Sequence, residues 1–372
     1  MRITEIETMA IRPRWLIVKM HTDEGVTGYG EATLEGHVPA VAAEIRHWRE
    51  ELLGKDARRI QHIWQSLYRH AFYRGGPIQC SAISGLEQAM WDITGKWLGA
   101  PVWALLGGQV RERVRMYRHV GGDSLDKLAA NAREAVAQGF GAIKSAVVDA
   151  GLRPIDSPAL VAQAEERMAT LRQAVGPGVD IGIDLHGRVG PAMAIRIAKS
   201  LEPYQPMFIE EPCLPEDAEA MALVARATSI PIATGERLLT KWGFREVLEK
   251  RAAAVLQPDL SHAGGILECR FIAAMAESYF VSVAPHCPLG PVALAACLQL
   301  DACTPNFLVQ EHVTLGQGYL KEPFRIESGY IAVSERPGLG IEVDEEALVG
   351  HADEGLWRNP QVYAEDGSVV DW

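Results

Sequence analysis

Three carboxylates recur at an even interval: Asp184, Glu210 and Glu236 stand 26 residues apart. Each lies at or near the end of a short apolar run of the kind that forms a buried strand, the runs being 179–185, 206–210 and 230–236. If each interval is one strand-and-helix unit, the three side chains emerge on neighbouring strands at one face, where they can converge on a single ion. Three oxygen donors without a nearby cysteine or histidine pair suit a hard cation that keeps positions open for substrate, so Mg²⁺ is the first expectation and Mn²⁺ the second. The competing reading, in which each acid merely caps the following helix, explains one such residue better than three in register. The register continues through Asp259, His286 and Glu311, at intervals of 23, 27 and 25 residues. Asp259 and His286 on adjacent strands could pair, the carboxylate orienting the imidazole as a general base. His186, two residues after Asp184, would point to the same face as a candidate acid. Lys144 could offset negative charge on a substrate. His37, His119, His262 and His312 are read as structural.

These residues need a scaffold that presents successive strand ends at one mouth. Eight apolar runs alternate with helical patterns: 114–119, 142–146, 179–185, 206–210, 230–236, 253–259, 280–286 and 307–311. One intervening helix opens at Ser157-Pro158 and stops at Gly176, and another is closed by Gly139. The alternation predicts an α/β chain with a (β/α)₈-type barrel, an open doubly wound sheet being the alternative. Upstream, 15–21 and 26–31 read as a hairpin around the turn Thr22-Asp23-Glu24-Gly25, followed by helices near 39–53, 57–68 and 81–98. The expected organisation is an N-terminal α+β capping domain over 1–112, a barrel over 113–315, and a C-terminal segment over 316–372. That segment is read as a hairpin of 330–333 and 340–343 packing back on the capping domain. Because barrel ends alone leave a wet site, residues 14–37 and 73–76 should close over the mouth.

Composition excludes several classes. With 372 residues, 48% apolar and 23% charged, the chain is too large for one small module and has an ordinary globular balance. A net charge of −12 disfavours nucleic acid and anionic membrane as partners, so an acidic substrate must be held by local positive charge. Six cysteines without C-x-x-C spacing suit a reducing compartment. Glu5 and Glu7 stand where a signal peptide needs apolar residues, and no run of eighteen apolar residues occurs, so a cytoplasmic location without membrane spans is expected.

The motifs, taken in order, resemble the enolase superfamily, mandelate racemase subgroup, and within it the D-galactonate dehydratases. They are Arg14-Trp15, Thr22-Asp23-Glu24-Gly25-Val26, Phe72-Tyr73-Arg74-Gly75-Gly76-Pro77, Trp91-Asp92, Asp184-Leu185-His186-Gly187-Arg188, Ile209-Glu210-Glu211-Pro212, Gly235-Glu236-Arg237, the run from Gln257 to Gly265, and the run from Ala284 to Pro291. The resemblance spans the whole chain. It implies Mg²⁺ on Asp184, Glu210 (not Glu211) and Glu236, His286 with Asp259 as base, His186 as acid, and Glu311 against the substrate carboxylate. The superfamily's use of a Lys or His base with Mg²⁺ and an enediolate comes with it. The implied reaction is dehydration of an acid sugar, D-galactonate foremost, to a 2-keto-3-deoxy acid, with a homo-oligomeric assembly expected. A cycloisomerase or epimerase of the same superfamily, or a binding protein keeping the fold without turnover, is the alternative. Two departures stand out. The second run carries Lys144-Ser145-Ala146, where racemases of the subgroup carry Lys-x-Lys and galactonate dehydratases Lys-x-Asn, and the stretch after Glu311 is shorter. Lacking the second Lys argues against racemisation, which needs a base on each face.

Overall fold

The computed structural model describes residues 1–355 and 357–372. Three antiparallel strands open the chain: β1 (Ile3–Ile11), β2 (Trp15–Thr22) and β3 (Thr27–Glu31), in the order β1-β2-β3. The β2–β3 hairpin follows the turn chemistry. The sequence reading missed β1, whose register shifts between Ile3 and Glu5 and so breaks the strict alternation that marks a strand. Helices Val38–Leu52, Ile60–His70 and Pro77–Leu98 cover one face of this sheet. Leu16, Val18 and Met20 of β2 meet Val41, Ile45, Ile63, Trp64, Ile83 and Leu86 there, with all nine side chains buried. The third helix starts four residues earlier than expected because Pro77 takes its first turn, where a missing N–H costs nothing.

The first barrel run divides. β4 (Arg113–Arg115) turns away to pair antiparallel with β12 (Tyr330–Ala332), and only β5 (Arg118–His119) joins the barrel. The predicted C-terminal hairpin is therefore corrected: its first strand pairs with β4, and Val343 bridges Leu320. Long-range pairing of this kind leaves no local sequence signal. β6 (Ala142–Ala146), β7 (Asp180–Asp184), β8 (Phe208–Glu210), β9 (Ile232–Thr234), β10 (Val255–Leu256) and β11 (Ser282–Val283) continue a parallel seven-stranded sheet that begins at β5. The eighth run closes it through bridges: Phe307 pairs with Val283 and Gln310 with Met116. Leu308 N donates to Val283 O at 2.8 Å and Gln310 N to Arg115 O at 2.9 Å.

Seven helices wrap the outside: Leu125–Ala137, Pro158–Val175, Pro191–Leu201, Ala218–Ala227, Thr240–Glu249, Ile266–Ser278 and Pro291–Cys303. The eighth run has no helix of its own; the next helix among the described residues is Glu345–Gly350. The barrel is of (β/α)₈ type with its last unit reduced to a strand-like segment. Its interior is filled by Tyr117, Ala142, Phe208, Ala233, Val255, Ala284 and Val309, so the centre is a packed core. Ser124 caps its helix by accepting from Lys127 N, whereas Ser157 makes no capping bond.

Two glutamates of the capping domain lock it onto the barrel. Glu31, at the end of β3, accepts from Gly290 N (2.7 Å) and Ala293 N (3.0 Å), at the start of the helix Pro291–Cys303. Glu87 accepts from Ile266 N (2.8 Å) and Leu267 N (3.0 Å), at the start of the helix Ile266–Ser278. Both carboxylates meet unpaired amides and the positive end of a helix dipole. The approach is so close that a Cβ at Gly290 would lie 2.6 Å from the Glu31 carboxylate, and one at Gly265, where φ is +95°, 2.3 Å from Glu87. Only glycine fits at either place.

Candidate active site

The eight residues singled out by spacing form one connected network at the end of the barrel to which the strands run. Asp184 and Glu210 are neighbours across the β7–β8 ladder. Glu236, Asp259 and His286 lie two or three residues beyond their strands, on the first turns of the following loops. Lys144, on β6, is buried with Nζ 2.8 Å from both Glu210 oxygens, 3.0 Å from Glu311 Oε1 and 3.6 Å from Asp184 Oδ2. His286 Nδ1 is 2.8 Å from Asp259 Oδ2, and its Nε2 is 3.5 Å from Glu236 Oε2 and 3.9 Å from Glu311 Oε2. His186 Nε2 is 3.9 Å from Glu236 Oε1.

The charges are crowded. Four carboxylates, Asp184, Glu210, Glu236 and Glu311, face the Lys144 ammonium and the two imidazoles. Burial opposes the Lys144 charge, but Glu210 and Glu311 outweigh it and hold the ammonium well above its usual range. Burial likewise works against a charged His286, and the charges of Glu236 and Glu311 with the Asp259 bond raise it well above the ordinary imidazole value. Burial would raise Glu311, yet Lys144, His286 and His119 hold it well below the usual carboxylate range. Glu211 departs from this group. Its φ is +37°, its Oε2 accepts from Arg237 Nε at 2.8 Å, and burial pushes its carboxyl up to about 8.

The donor set suits a divalent cation, because three strand-end carboxylates with one ammonium among them carry uncompensated negative charge and offer only oxygen. The arrangement is open: among the described residues, the group of three or more His, Cys, Asp or Glu ligand atoms lying mutually within 4.8 Å is that of Glu5, Glu7 and His21, on the capping sheet. The Asp184, Glu210 and Glu236 oxygens spread more widely: the first two face the Lys144 ammonium, and Glu236 faces His186 and His286.

Several residues read as structural sit at the site. His119, at the end of β5, places Nε2 2.7 Å from Glu311 Oε1. Its position at a strand end is the same signal that marks the carboxylates, and would have found it. His262 Nε2 is 3.7 Å from both Asp259 Oδ2 and Glu35 Oε2, and its Nδ1 is 3.0 Å from Ser81 Oγ. Glu35 and Arg14, 3.6 Å apart, bring the capping segment 14–35 to the mouth, and Arg14 also donates to Pro288 O. Phe72 and Tyr73 are exposed, at 87% and 93%. The His186 ring meets Trp372, whose main-chain oxygen accepts from Nδ1. No local pattern foretells contacts made by residues so far apart in the chain.

The chain resembles known proteins over its whole length. Residues 4–107 match the mandelate racemase/muconate lactonizing enzyme N-terminal domain, and residues 127–347 match the enolase C-terminal domain-like family. The chain is 47% identical to a D-galactonate dehydratase of Variovorax paradoxus (strain S110) and 46% identical to one of Cronobacter sakazakii (strain ATCC BAA-894), each match covering all of both chains. Its structure superposes on the mandelate racemase/muconate lactonizing enzyme from Sulfitobacter sp. with a TM-score of 0.93 at 35% identity over all of both chains. A mandelate racemase/muconate lactonizing enzyme-like protein from Roseovarius sp. TM1035 gives 0.91 at 36% identity, over 98% of each.

Proposed function

The chain belongs to the mandelate racemase/muconate lactonizing enzyme family of the enolase superfamily, and from that premise we propose that it is a hydro-lyase removing water from an acid sugar, D-galactonate first among candidates. The observation that carries the reading is the Asp259–His286 pair, bonded at 2.8 Å with the free ring nitrogen turned towards Glu236 and Glu311. A histidine oriented by a buried carboxylate beside a ring of acids is an arrangement for taking a proton next to a carboxylate.

In this reading Asp184, Glu210 and Glu236 would hold a divalent cation, which when bound supplies the positive charge that makes a C2 hydrogen of a carboxylate substrate acidic. The charges of Glu236 and Glu311 raise His286, and a cation held by the three carboxylates would offset part of that charge and favour the neutral imidazole a base requires. His286 Nε2 takes the C2 proton, and the C2–H electron pair moves into the developing enediolate. Lys144 and the Cys287 N–H bonded to Glu311 hold positive charge and a dipole at that end of the pocket. The enediolate expels the 3-hydroxyl, which leaves as water with a proton from His186 Nε2, and the resulting enol tautomerises to the 2-keto-3-deoxy acid. With Lys144-Ser145-Ala146 on β6 there is no second lysine to deliver a proton to the opposite face, which disfavours racemisation.

One feature favours a second substrate. Ala146, register-paired with Asp184 and exposed at the mouth, stands where galactonate dehydratases carry Asn, so a different aldonic or aldaric acid is the alternative within the same mechanism. Screening a library of these acids for 2-keto product, with and without chelator, tests both. Product from D-galactonate supports the first reading, product only from another acid the second, and no product from any acid defeats both.

A further inference from the structure

The two histidines of the site are held in unlike ways. His286 has an orienting partner on the barrel, Asp259. His186 has none: its backbone sits in the left-handed region at φ +56°, pinned by its own N–H donating to Asp184 Oδ1 at 2.8 Å. Among the described residues the ring's ionic, hydrogen-bond and aromatic partners are Glu236, at 3.9 Å, and Trp372. Trp372 makes two contacts with it. Its main-chain oxygen accepts from Nδ1, and the rings meet edge to face with centroids 5.2 Å apart.

Trp372 reaches this point at the end of a strap that crosses the mouth. Asp353 N donates to Ala10 O, and the Trp357 ring lies under the Arg14 guanidinium at 4.8 Å, which fixes the start of the strap on the capping domain. Residues 362–370 then form a small turn-back, with Tyr363 bridging Val369 and Val370 N donating to Val362 O. This turn-back lies against Gly151, in the loop after β6. Val369 and Val370, with Gly187, Pro191 and Leu214, line a cavity of about 390 Å³ beside the His186 loop.

We propose that Trp372 is the positioning residue of His186, so that the C-terminal strap governs departure of the leaving group while the barrel alone governs removal of the C2 proton. The inference rests on the dehydratase reading above. An oxygen that can only accept obliges His186 Nδ1 to carry its hydrogen. Proton delivery is thereby confined to Nε2, the nitrogen facing Glu236 and the proposed ion site. The Trp372 ring stops the imidazole from rotating out of that line. Misplacement of a reacting group by about 1 Å can cost about a hundredfold in rate, so loss of this brace is felt in the step His186 serves and not in the step His286 serves.

The test compares two rates in the full-length protein with D-galactonate, or with the acid the screen identifies: formation of 2-keto product and exchange of the C2 hydrogen with solvent deuterium. Trp372→Ala is expected to lower dehydration about tenfold, and removal of residues 370–372 about a hundredfold, with exchange within about twofold of the parent in both. Trp372→Phe, which keeps an edge-to-face ring, should restore most of the loss. In protein labelled with ¹⁵N-histidine, the His186 signals, identified by their disappearance in His186→Asn, should show protonated Nδ1 in the parent and a mixture of tautomers in the truncated chain. Equal losses in both rates, unchanged dehydration in the truncated chain, or an unaltered tautomer would overturn the proposal. A parent protein inert towards every acid sugar would instead overturn the reading beneath it.

Discussion

Glu31 and Glu87 are as deeply buried as Glu210 and Glu311, with none of the four more than 1% exposed. The first two join the domains, and each accepts three hydrogen bonds, Glu31 from Gly290, Ala293 and Thr33, and Glu87 from Ile266, Leu267 and Trp91. They face backbone amides and stand clear of competing cations. The second two line the mouth and are surrounded by other acids, Lys144 and histidines. At the domain junction a buried charge is matched by fixed dipoles and the result is rigidity. At the mouth it is matched by groups that can gain or lose protons or exchange partners, the setting that the proposed charged ligand requires. Burial of an acid is therefore no sign of function by itself; what surrounds the acid decides.

Substitutions can break this contrast from either side. At the mouth, His286→Asn should remove both dehydration and C2 exchange, a loss of about 10²–10⁴ in rate or roughly 3–5 kcal/mol of barrier, with the melting temperature little changed. A melting temperature that falls while exchange survives would place His286 with the structural set. At the junction the expectation reverses. Gly265→Ala drives a Cβ onto Glu87 in a left-handed backbone and should cost about 2–4 kcal/mol in denaturant unfolding, with activity per folded molecule retained, and Gly290→Ala somewhat less.

Glu236→Gln should weaken Mg²⁺ binding by about a hundredfold in calorimetric titration, whereas Glu211→Gln, whose partner is Arg237, should change it by less than about tenfold. Equal effects would show that Glu211 belongs to the ion site. The smallest expected effect is on pH dependence. Burial raises Glu31 and Glu87 from an ordinary 4.5 to about 7, so between those values the folded chain binds more protons than the unfolded one and stability falls as pH rises through the window. Glu31→Gln or Glu87→Gln should cost about 1–3 kcal/mol at acid pH, by setting an amide N–H₂ against a backbone N–H, and should flatten that part of the stability–pH curve. A curve of unchanged slope in both variants would show that other groups set it.

Much of the candidate site's geometry was legible because a (β/α) barrel converts chain distance into angular position. Asp184, Glu210, Glu236, Asp259, His286 and Glu311 recur once per unit, and the fold returns each of them to one mouth. The strands proved shorter than the apolar runs: 253–259 yields only Val255–Leu256 as strand, with Asp259 in the loop beyond. Apolar character marks burial, and the barrel buries the loop entrances as well as the ladder, so composition cannot mark where pairing stops.

What the sequence determined by itself was local or periodic: turn residues at 22–25, the proline that opens the helix at Pro158, and the unit interval that aligns the acids with His286. What the tertiary structure decided was every contact between segments with no periodic relation. It set His119 on Glu311, Glu35 and Ser81 on His262, β12 on β4, and Trp372 on His186. The physical reason is that a repeat carries its own register along the chain. A contact across 186 residues is selected only by the shape and charge that the whole fold brings together.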